Sequence, residues 1–120
     1  MANSKFEYVK MFEQDRVALL DTYMVVRLDG RSFTKMCKLH NFEKPNDLKA
    51  LKAMNAAAME VCNSFVDIIL AYGQSDEYSF LFSKSSDIFQ RRVDKIVSCV
   101  VSLFTSAYVF NFEEITGRKL

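Results

Sequence analysis

Apolar and polar positions along the chain predict a definite order of helices and strands. Residues 6–13 carry apolar side chains at helical spacing, which predicts a short leading helix. Residues 24–28 form a dense apolar and β-branched run that ends at Asp29 and Gly30, a pattern typical of a buried central strand. The polar and aromatic segment 31–47 predicts no more than a short helical turn.

Residues 48–65 predict a long amphipathic helix. Pro45 ends the preceding segment, and Asn46 or Asp47 can cap the helix because their side-chain oxygens accept hydrogen bonds from backbone N–H groups. The predicted apolar face consists of Leu48, Leu51, Met54, Ala58, Val61, Cys62 and Phe65.

Two further strands follow this helix. Residues 67–73 and 77–83 are apolar and aromatic runs, and they are joined through Gln74, Ser75 and Asp76. A hairpin turn usually contains Asn-Gly or Asp-Gly, whereas here adjacent carboxylates stand at the reversal. Like charges repel, so this pair of acidic residues suggests a positively charged group nearby.

A second long helix is predicted to begin at Ser86 or Asp87. Its apolar stripe consists of Phe89, Val93, Ile96, Val97, Val100, Phe104 and Tyr108. Its other face carries Arg91, Lys95, Ser98 and Ser102. After Tyr108 we expect the helix to end, with residues 111–120 as an atypical, frayed tail.

The predicted order is β-α-β-β-α after a short leading helix. With one more strand it would be the ferredoxin-like split βαβ arrangement, and that last strand is missing from the pattern. We therefore expect a single α+β domain over residues 1–120, with both helices on one face of an antiparallel sheet.

Composition agrees with a folded domain. The chain has 120 residues, of which 50% are apolar and 26% charged, and its net charge is +1. This excludes a disordered chain, and it neither requires nor excludes a nucleic-acid partner. No apolar run reaches the roughly 18 residues of a membrane span, and the N-terminus has no secretory pattern.

The cysteine pattern indicates reduced thiols. Cys37, Cys62 and Cys99 are odd in number and widely spaced, and the single His40 cannot complete a zinc site with them. We expect core thiols in a cytoplasmic compartment, with a mitochondrial one as the alternative.

Asp29 and Asp76 are the candidate metal ligands. The first strand and the hairpin are expected to bring these carboxylates to the same edge of the sheet. Mg²⁺ usually takes one or two protein carboxylates together with substrate phosphates, and two ions about 4 Å apart can clamp a phosphoryl transfer. The alternative is that Asp29 ends a strand and Asp76 is a solvated turn residue.

Basic residues near these carboxylates suggest a phosphate-bearing ligand. They follow the first strand and project from the second helix, and they are Arg31, Lys35, Lys38, Lys44, Arg91, Arg92 and Lys95. The segment 30–34 can also direct backbone N–H groups at phosphate oxygens. Taken singly, each of these cations is more often a solvated surface residue.

Several segments resemble the tRNA-histidine guanylyltransferase family. They are VVRLDGRSF, HNFEKPND, AYGQSDEYSF and the FEYVK start, and the resemblance runs from Met1 to about Phe110. It implies a palm like that of polymerases and nucleotide cyclases. It also implies addition of guanylate to the 5′ end of tRNA(His) in the 3′-to-5′ direction. ATP would adenylylate the 5′-monophosphate, the 3′-hydroxyl of GTP would attack, and pyrophosphate would be removed.

The resemblance also implies roles for individual residues. Asp29 and Asp76 match the carboxylates that bind two Mg²⁺ ions, and the Gly30 carbonyl matches a third metal ligand. Glu77 matches an acidic residue beside the metals and is the third catalytic candidate. The implied nucleotide-binding set is Asp29, Gly30, Arg31, Ser32, Phe33, Thr34, Lys44, Asn46, Ser75, Asp76 and Lys95.

The chain departs from the family pattern at two places. The family tends to have His where this chain has Thr34. Its HINNLYN stretch, last palm strand and C-terminal helices, which contribute to tRNA handling and to a homotetramer, are absent here. Two alternatives therefore remain: palm-type nucleotide cyclase chemistry, or a truncated, inactive chain that binds nucleotide or pairs with full-length subunits.

Overall fold

The structure is a computed structural model that describes residues 5–14 and 16–120. Residues 1–4, part of the segment predicted to lack a secretory signal, lie outside the described residues. The elements in chain order are a 3₁₀-helix (Glu7–Phe12), β1 (Met24–Asp29), α1 (Phe33–Leu39), α2 (Leu48–Ser64), β2 (Ile68–Gln74), β3 (Glu77–Phe82), a second 3₁₀-helix (Ile88–Arg91) and α3 (Val93–Thr116).

The sheet has three antiparallel strands in the order β1-β3-β2. The prediction that β1 is the central strand is wrong, because β3 lies between the other two and β1 pairs with β3 alone in the described part of the chain. Met24 and Val26 are buried while Val25 between them is exposed. The dense apolar run therefore reflects one packed face and one open face, not burial on both sides.

Both long helices pack on one face of the sheet, which confirms the predicted α+β fold. The core consists of inward-facing strand residues and the facing sides of α2 and α3. Its members are Met24, Val26, Met54, Ala57, Ala58, Val61, Phe65, Phe80, Phe82, Ile96, Val100, Phe104 and Ala107. On the opposite face of the sheet, Val25, Leu70 and Tyr72 are exposed.

Helix α2 begins as predicted, at the Asp47 cap. The Asp47 carboxylate accepts hydrogen bonds from the backbone N–H groups of Lys49 and Ala50, at 2.8 and 3.2 Å. The predicted apolar face is confirmed for Met54, Ala58, Val61 and Phe65, which are buried. Leu51 and Cys62 are half-buried, and Leu48, at the first helical position, is exposed.

Helix α3 begins later than predicted, at Val93 instead of Ser86 or Asp87. Phe89, Gln90 and Arg91 have φ values of 49°, 55° and 58°, in the left-handed region. Three successive left-handed residues interrupt a right-handed helix, and apolar spacing cannot reveal them because it reports side chains and not backbone dihedrals.

Arg91 does not project from α3 as predicted; it is buried. Its guanidinium donates to the carbonyl oxygens of Ser86 and Thr22, at 2.5 and 2.8 Å. It also donates to the carbonyl oxygens of Ala18 and Lys84, at 3.3 and 3.4 Å. Arg91 thus joins the chain before β1 to the segment before α3, and it is not available to a nucleotide.

The predicted frayed tail after Tyr108 is also wrong, because α3 continues to Thr116 and ends at Gly117. Phe112 and Thr116 are buried, so these last turns are packed. Among the helices in the described ranges, α3 alone has the length and mean hydropathy, 1.5 over its most apolar window, to cross a membrane. Its packed face is also what the core helix of a folded domain shows.

Candidate functional site

The hairpin between β2 and β3 turns through Ser75 and Asp76, as predicted. Gln74 and Glu77 form the last strand pair, and Ser75 has a φ of 58°. Gly73 lies opposite Tyr78, and a Cβ added there would lie 2.4 Å from the tyrosine ring. Glycine precedes this turn because the Tyr78 ring occupies the space of its side chain.

Gly30 brings the end of β1 against this hairpin. Its backbone N–H donates to the carbonyl oxygen of Asp76 at 3.0 Å. A Cβ added to Gly30 would lie 2.9 Å from the Asp76 Cβ, 3.1 Å from its Oδ2 and 3.2 Å from the Phe33 Cβ. Only glycine therefore fits here without displacing its neighbours, and the predicted convergence of β1 with the hairpin is present.

Acidic residues gather at this end of the sheet. Asp29 is the register partner of Glu77, and Asp76 precedes Glu77. The Glu77 carboxylate forms an ion pair with Arg27, and the hydrogen bond and charge of Glu77 raise the pKa of that guanidinium. Glu77 thus has a cation partner of its own, and its catalytic role stays a prediction.

The oxygen groups of Asp29, Gly30 and Asp76 fit a hard divalent cation. In residues 5–14 and 16–120, no group of three or more His, Cys, Asp or Glu side chains could hold a metal ion. Mg²⁺ does not need such a group, because it usually binds through one or two carboxylates, waters and substrate phosphates. Because Gly30 has no Cβ, no side-chain carbon of residue 30 fills the space beside Asp76 Oδ2, where an added Cβ would lie at 3.1 Å.

A cavity of about 490 Å³ opens on one side of Asp76. Its size lies within the range of small-molecule sites. Six of the predicted nucleotide-binding residues line it, and these are Phe33, Thr34, Lys44, Asn46, Ser75 and Asp76. Cys37 also lines it and was not predicted, because nothing in its spacing marks it as a wall residue. Phe42 lines it too, although the sequence favours a core position for this ring, with a purine-binding position as the alternative.

The loop that carries Lys44 and Asn46 is closed by Asp47. The Asp47 carboxylate accepts a hydrogen bond from the backbone N–H of Glu43 at 3.1 Å, in addition to its bonds within α2. These backbone donors, Glu43 first, hold the pKa of Asp47 below its usual value, with Arg118 assisting. Asp47 therefore fixes both the start of α2 and the loop beside the cavity.

A second cavity of about 520 Å³ lies on the other side of this junction, between α3 and the end of β1. Asp29, Gly30 and Arg31 line it, and Phe33, Met54 and Asp76 are common to both cavities. Tyr108 also lines it, and burial, with a smaller effect from Cys37, raises the pKa of Tyr108 to about 12.

Lys95 lies toward the other end of the sheet. Its ammonium is 4.7 Å from the Phe89 ring centroid, Phe89 contacts Phe65, and Phe65 contacts Phe82. Phe82 and Glu77 are opposite ends of β3, roughly 16 Å apart at the rise of a strand. Within one chain Lys95 is not brought to the first cavity, so its contact with nucleotide stays a prediction.

Ser32 lies at the junction without lining either cavity. It has a φ of 58° and occupies the cap position of α1, where its backbone carbonyl accepts from the N–H of Lys35 at 3.0 Å. The three cysteines of the described residues are free, as predicted, although all are half-buried instead of fully in the core.

The sheet, the one-sided helices and the carboxylates at the end of the sheet together define a palm-like α+β domain. The sequence profile of Thg1, tRNAHis guanylyltransferase, matches residues 6–119. The chain therefore belongs to the tRNAHis guanylyltransferase family.

Relatives and solved structures agree with this assignment. The chain is 58% identical over 112 residues to tRNA(His) guanylyltransferase of Schizosaccharomyces pombe, covering 93% of this chain and 43% of that protein. It is 53% identical to a probable tRNA(His) guanylyltransferase of Dictyostelium discoideum, covering 98% and 46%. The crystal structure of the Saccharomyces cerevisiae enzyme matches with a TM-score of 0.89 and 46% identity, covering 96% and 51%. The chain thus spans about half the length of these proteins.

Proposed function

We propose that this chain is the palm portion of a Mg²⁺-dependent nucleotidyltransferase that adds guanylate from GTP to the 5′ end of tRNA(His). Family membership supports the reaction class. The observation that carries the proposal is the Gly30–Asp76 junction, which places a carboxylate at the wall of a ligand-sized cavity.

The metal would be held at this junction. The residues proposed to bind two Mg²⁺ ions are Asp29 and Asp76 through their carboxylates and Gly30 through its carbonyl. Bound Mg²⁺ would neutralise charge that develops on phosphate oxygens during transfer. The chain's own contribution is to fix these oxygens on the end of a strand and a tight hairpin, so that little reorganisation accompanies binding.

The first cavity is proposed to hold the triphosphate of the nucleotide. Lys44 supplies a positive charge there, and Asn46 and Ser75 supply hydrogen-bond donors. The segment 30–34 would also direct backbone N–H groups at phosphate oxygens. Bacterial Thg1-like proteins of the same fold have been solved in complex with GTP and with ATP, with TM-scores of 0.75 and 0.85 to this chain at 23% identity.

The order of chemical steps is also part of the proposal. ATP would first adenylylate the 5′-monophosphate of the tRNA and release pyrophosphate. The 3′-hydroxyl of GTP would then attack that 5′-phosphate and release AMP, giving growth in the 3′-to-5′ direction, and removal of pyrophosphate from the added nucleotide would leave a guanylate. We further propose that tRNA binding and assembly into a homotetramer need the additional length that the relatives have, and that the protein acts in the cytoplasm.

The test removes one carboxylate at the junction. Asp76→Ala should abolish Mg²⁺-dependent GTP binding by this chain, and the same change in a full-length relative should abolish guanylate addition. The circular dichroism spectrum should be unchanged, because Asp76 is a turn residue outside the core. The matched control is Asp87→Asn, at an exposed position whose side chain caps no helix.

The outcomes separate the alternatives. Wild-type guanylate addition by the Asp76→Ala protein would contradict the metal role. Release of a cyclic product from labelled GTP without tRNA would favour a nucleotide cyclase. GTP binding by this chain without guanylate addition, beside an active full-length relative, would identify a binding or pairing unit.

A further inference from the structure

The last turns of α3 pack against the loop of residues 40–47, part of which lines the first cavity. Phe112 is 1% exposed. Its ring meets the rings of His40 and Phe42 edge-on, with centroids 5.1 and 6.0 Å apart. These geometries are the favourable ones for aromatic pairs. The end of α3 is therefore a support for this loop and not a free tail.

Arg118 reaches the same loop because the helix ends sharply. Gly117 has a φ of 70°, and its N–H donates to the carbonyl oxygen of Glu113 at 2.8 Å. The Thr116 hydroxyl donates to the carbonyl oxygen of Phe112 and accepts from the N–H of Arg118, at 2.7 and 3.1 Å. This turn directs Arg118 back along the helix.

The guanidinium of Arg118 lies over the Phe42 ring, 4.7 Å from its centroid. Phe42 lines the first cavity with Lys44 and Asn46, whereas Arg118 does not line it. Arg118 and Phe112 thus meet Phe42 from behind the cavity wall. A cation over an aromatic face is attractive, more so when the pair is shielded from water.

The 40–47 loop is therefore held at both ends. At one end Phe112 and Arg118 hold Phe42, and at the other the Asp47 carboxylate accepts from the N–H of Glu43. Lys44 and Asn46 lie between these anchors. A ligand that needs both residues in place binds only the fraction of molecules whose loop is in this conformation.

We propose that Arg118 and Phe112 are positioning residues that hold the 40–47 loop in its nucleotide-binding conformation. Phe112 acts through Phe42, Arg118 acts through Phe42 and through its charge near Asp47, and neither lines the cavity. The identity of the ligand rests on the proposed function, whereas the effect on the loop does not. This assigns a role in the site to the segment after residue 110, where the sequence predicted a frayed tail.

The first measurement is amide hydrogen exchange of the ligand-free chain, followed by NMR. Arg118→Ala should speed exchange of the Glu43 amide, which donates to Asp47, about five-fold, the factor expected for loss of an interaction of this class. Amides of the central strand β3 should be unaffected. Lys119→Ala, which removes the neighbouring exposed charge, is the matched control and should change neither the exchange of the Glu43 amide nor that of the β3 amides.

The second measurement is GTP affinity in the presence of Mg²⁺. Arg118→Ala should weaken it about five-fold, by lowering the fraction of competent loop. Arg118→Lys keeps the charge but loses the planar group that stacks on an aromatic face, so it should restore part of the affinity. Phe112→Leu should act in the same direction as Arg118→Ala, with the exposed Phe110→Leu as its control.

Two results would overturn the proposal. One is an unchanged Glu43 exchange rate in the Arg118→Ala chain. The other is faster exchange together with wild-type GTP affinity. If the wild-type chain does not bind GTP, the nucleotide function fails, and the exchange comparison still decides whether Arg118 orders the loop.

Discussion

The backbone N–H of Gly30 donates a 3.0 Å hydrogen bond to the carbonyl oxygen of Asp76. This bond continues the β1–β3 pairing by one step beyond Asp29 and Glu77, and it fixes the end of β1 against the hairpin turn. The main chains of the two candidate metal-binding residues, Asp29 and Asp76, are therefore held in a fixed relation by backbone pairing.

Gly30→Ala is predicted to disturb this junction. The new Cβ would lie 2.9 Å from the Asp76 Cβ, so the hairpin must shift. We expect a loss of about 1–3 kcal/mol in the free energy of unfolding, typical of overpacking, and a larger proportional loss of Mg²⁺-dependent GTP binding. Urea denaturation and nucleotide titration measure the two effects.

Ser98→Ala serves as the control for this change, because it removes an exposed hydroxyl on α3 without adding volume. Ser98→Ala should leave the free energy of unfolding and Mg²⁺-dependent GTP binding unchanged. Full stability together with wild-type GTP binding in the Gly30→Ala chain would show that the close approach to Asp76 has no functional consequence.

Lys44 and Lys95 are predicted to behave differently, although the sequence assigned both to the nucleotide. Lys44 lines the first cavity, whereas the Lys95 ammonium lies over Phe89 beyond the opposite end of the sheet. In this chain Lys44→Ala should weaken GTP affinity about ten-fold, the scale of a charge-assisted hydrogen bond. Lys95→Ala should leave it within two-fold, about the scatter expected of a distant surface change.

Fluorescence or calorimetric titration with GTP decides this comparison. Equal losses for the two substitutions would mean that Lys95 reaches the nucleotide, for instance from a neighbouring chain. A size measurement on the same samples would then show whether a second copy is present.

The contrast between these two lysines shows how far sequence reasoning reaches. The approach of the end of β1 to the β2–β3 hairpin was predictable, because strand ends in a small sheet meet at one edge. The position of Lys95 relative to the cavity was not, because apolar spacing places Lys95 on the exposed face of α3 but does not report which end of the sheet that part of the helix lies against.

Apolar spacing also explains the wrong predictions for β1 and for the end of α3, because it reports neither strand pairing nor contacts between distant residues. The apolar run of β1 is compatible with a central strand or with an edge strand that has one packed face, and only the pairing distinguishes them. The packing of Phe112 on His40 and Phe42 joins residues about seventy positions apart in sequence, a relation that periodicity does not encode.

Arg91 is predicted to be a stabilising residue and not a ligand-binding one. It is 2% exposed and donates hydrogen bonds to the backbone carbonyls of four residues. The bonds to Ser86 and Thr22 are the shortest of these. Lysine at this position cannot supply the same fork of donors. Arg91→Lys should therefore lower the free energy of unfolding by about 3 kcal/mol, with GTP affinity measured below the transition unchanged.

Arg16→Lys is the matched control for Arg91→Lys. Arg16 forms an exposed ion pair with Asp94, and exposed pairs contribute little to stability. The urea midpoint should stay at the wild-type value for Arg16→Lys and fall for Arg91→Lys. Equal midpoints for the two variants would contradict a structural role for the buried guanidinium.

Tyr108 is predicted to make stability depend on alkaline pH. Burial, with a smaller effect from Cys37, raises its pKa to about 12, above the usual value of 10. Since the folded chain holds this proton more tightly than the unfolded chain, the contribution of Tyr108 to the free energy of unfolding is complete below pH 10 and is lost as the pH rises through 12.

Ultraviolet titration of phenolate checks this prediction. The wild type should show a separate ionisation step at high pH. Tyr108→Phe should remove that step, whereas Tyr72→Phe, at an exposed tyrosine, should retain it. A wild-type titration without the late step, in which Tyr108→Phe only lowers the amplitude of the step near pH 10, would show that the phenol is solvated and that the second cavity is open to water at this point.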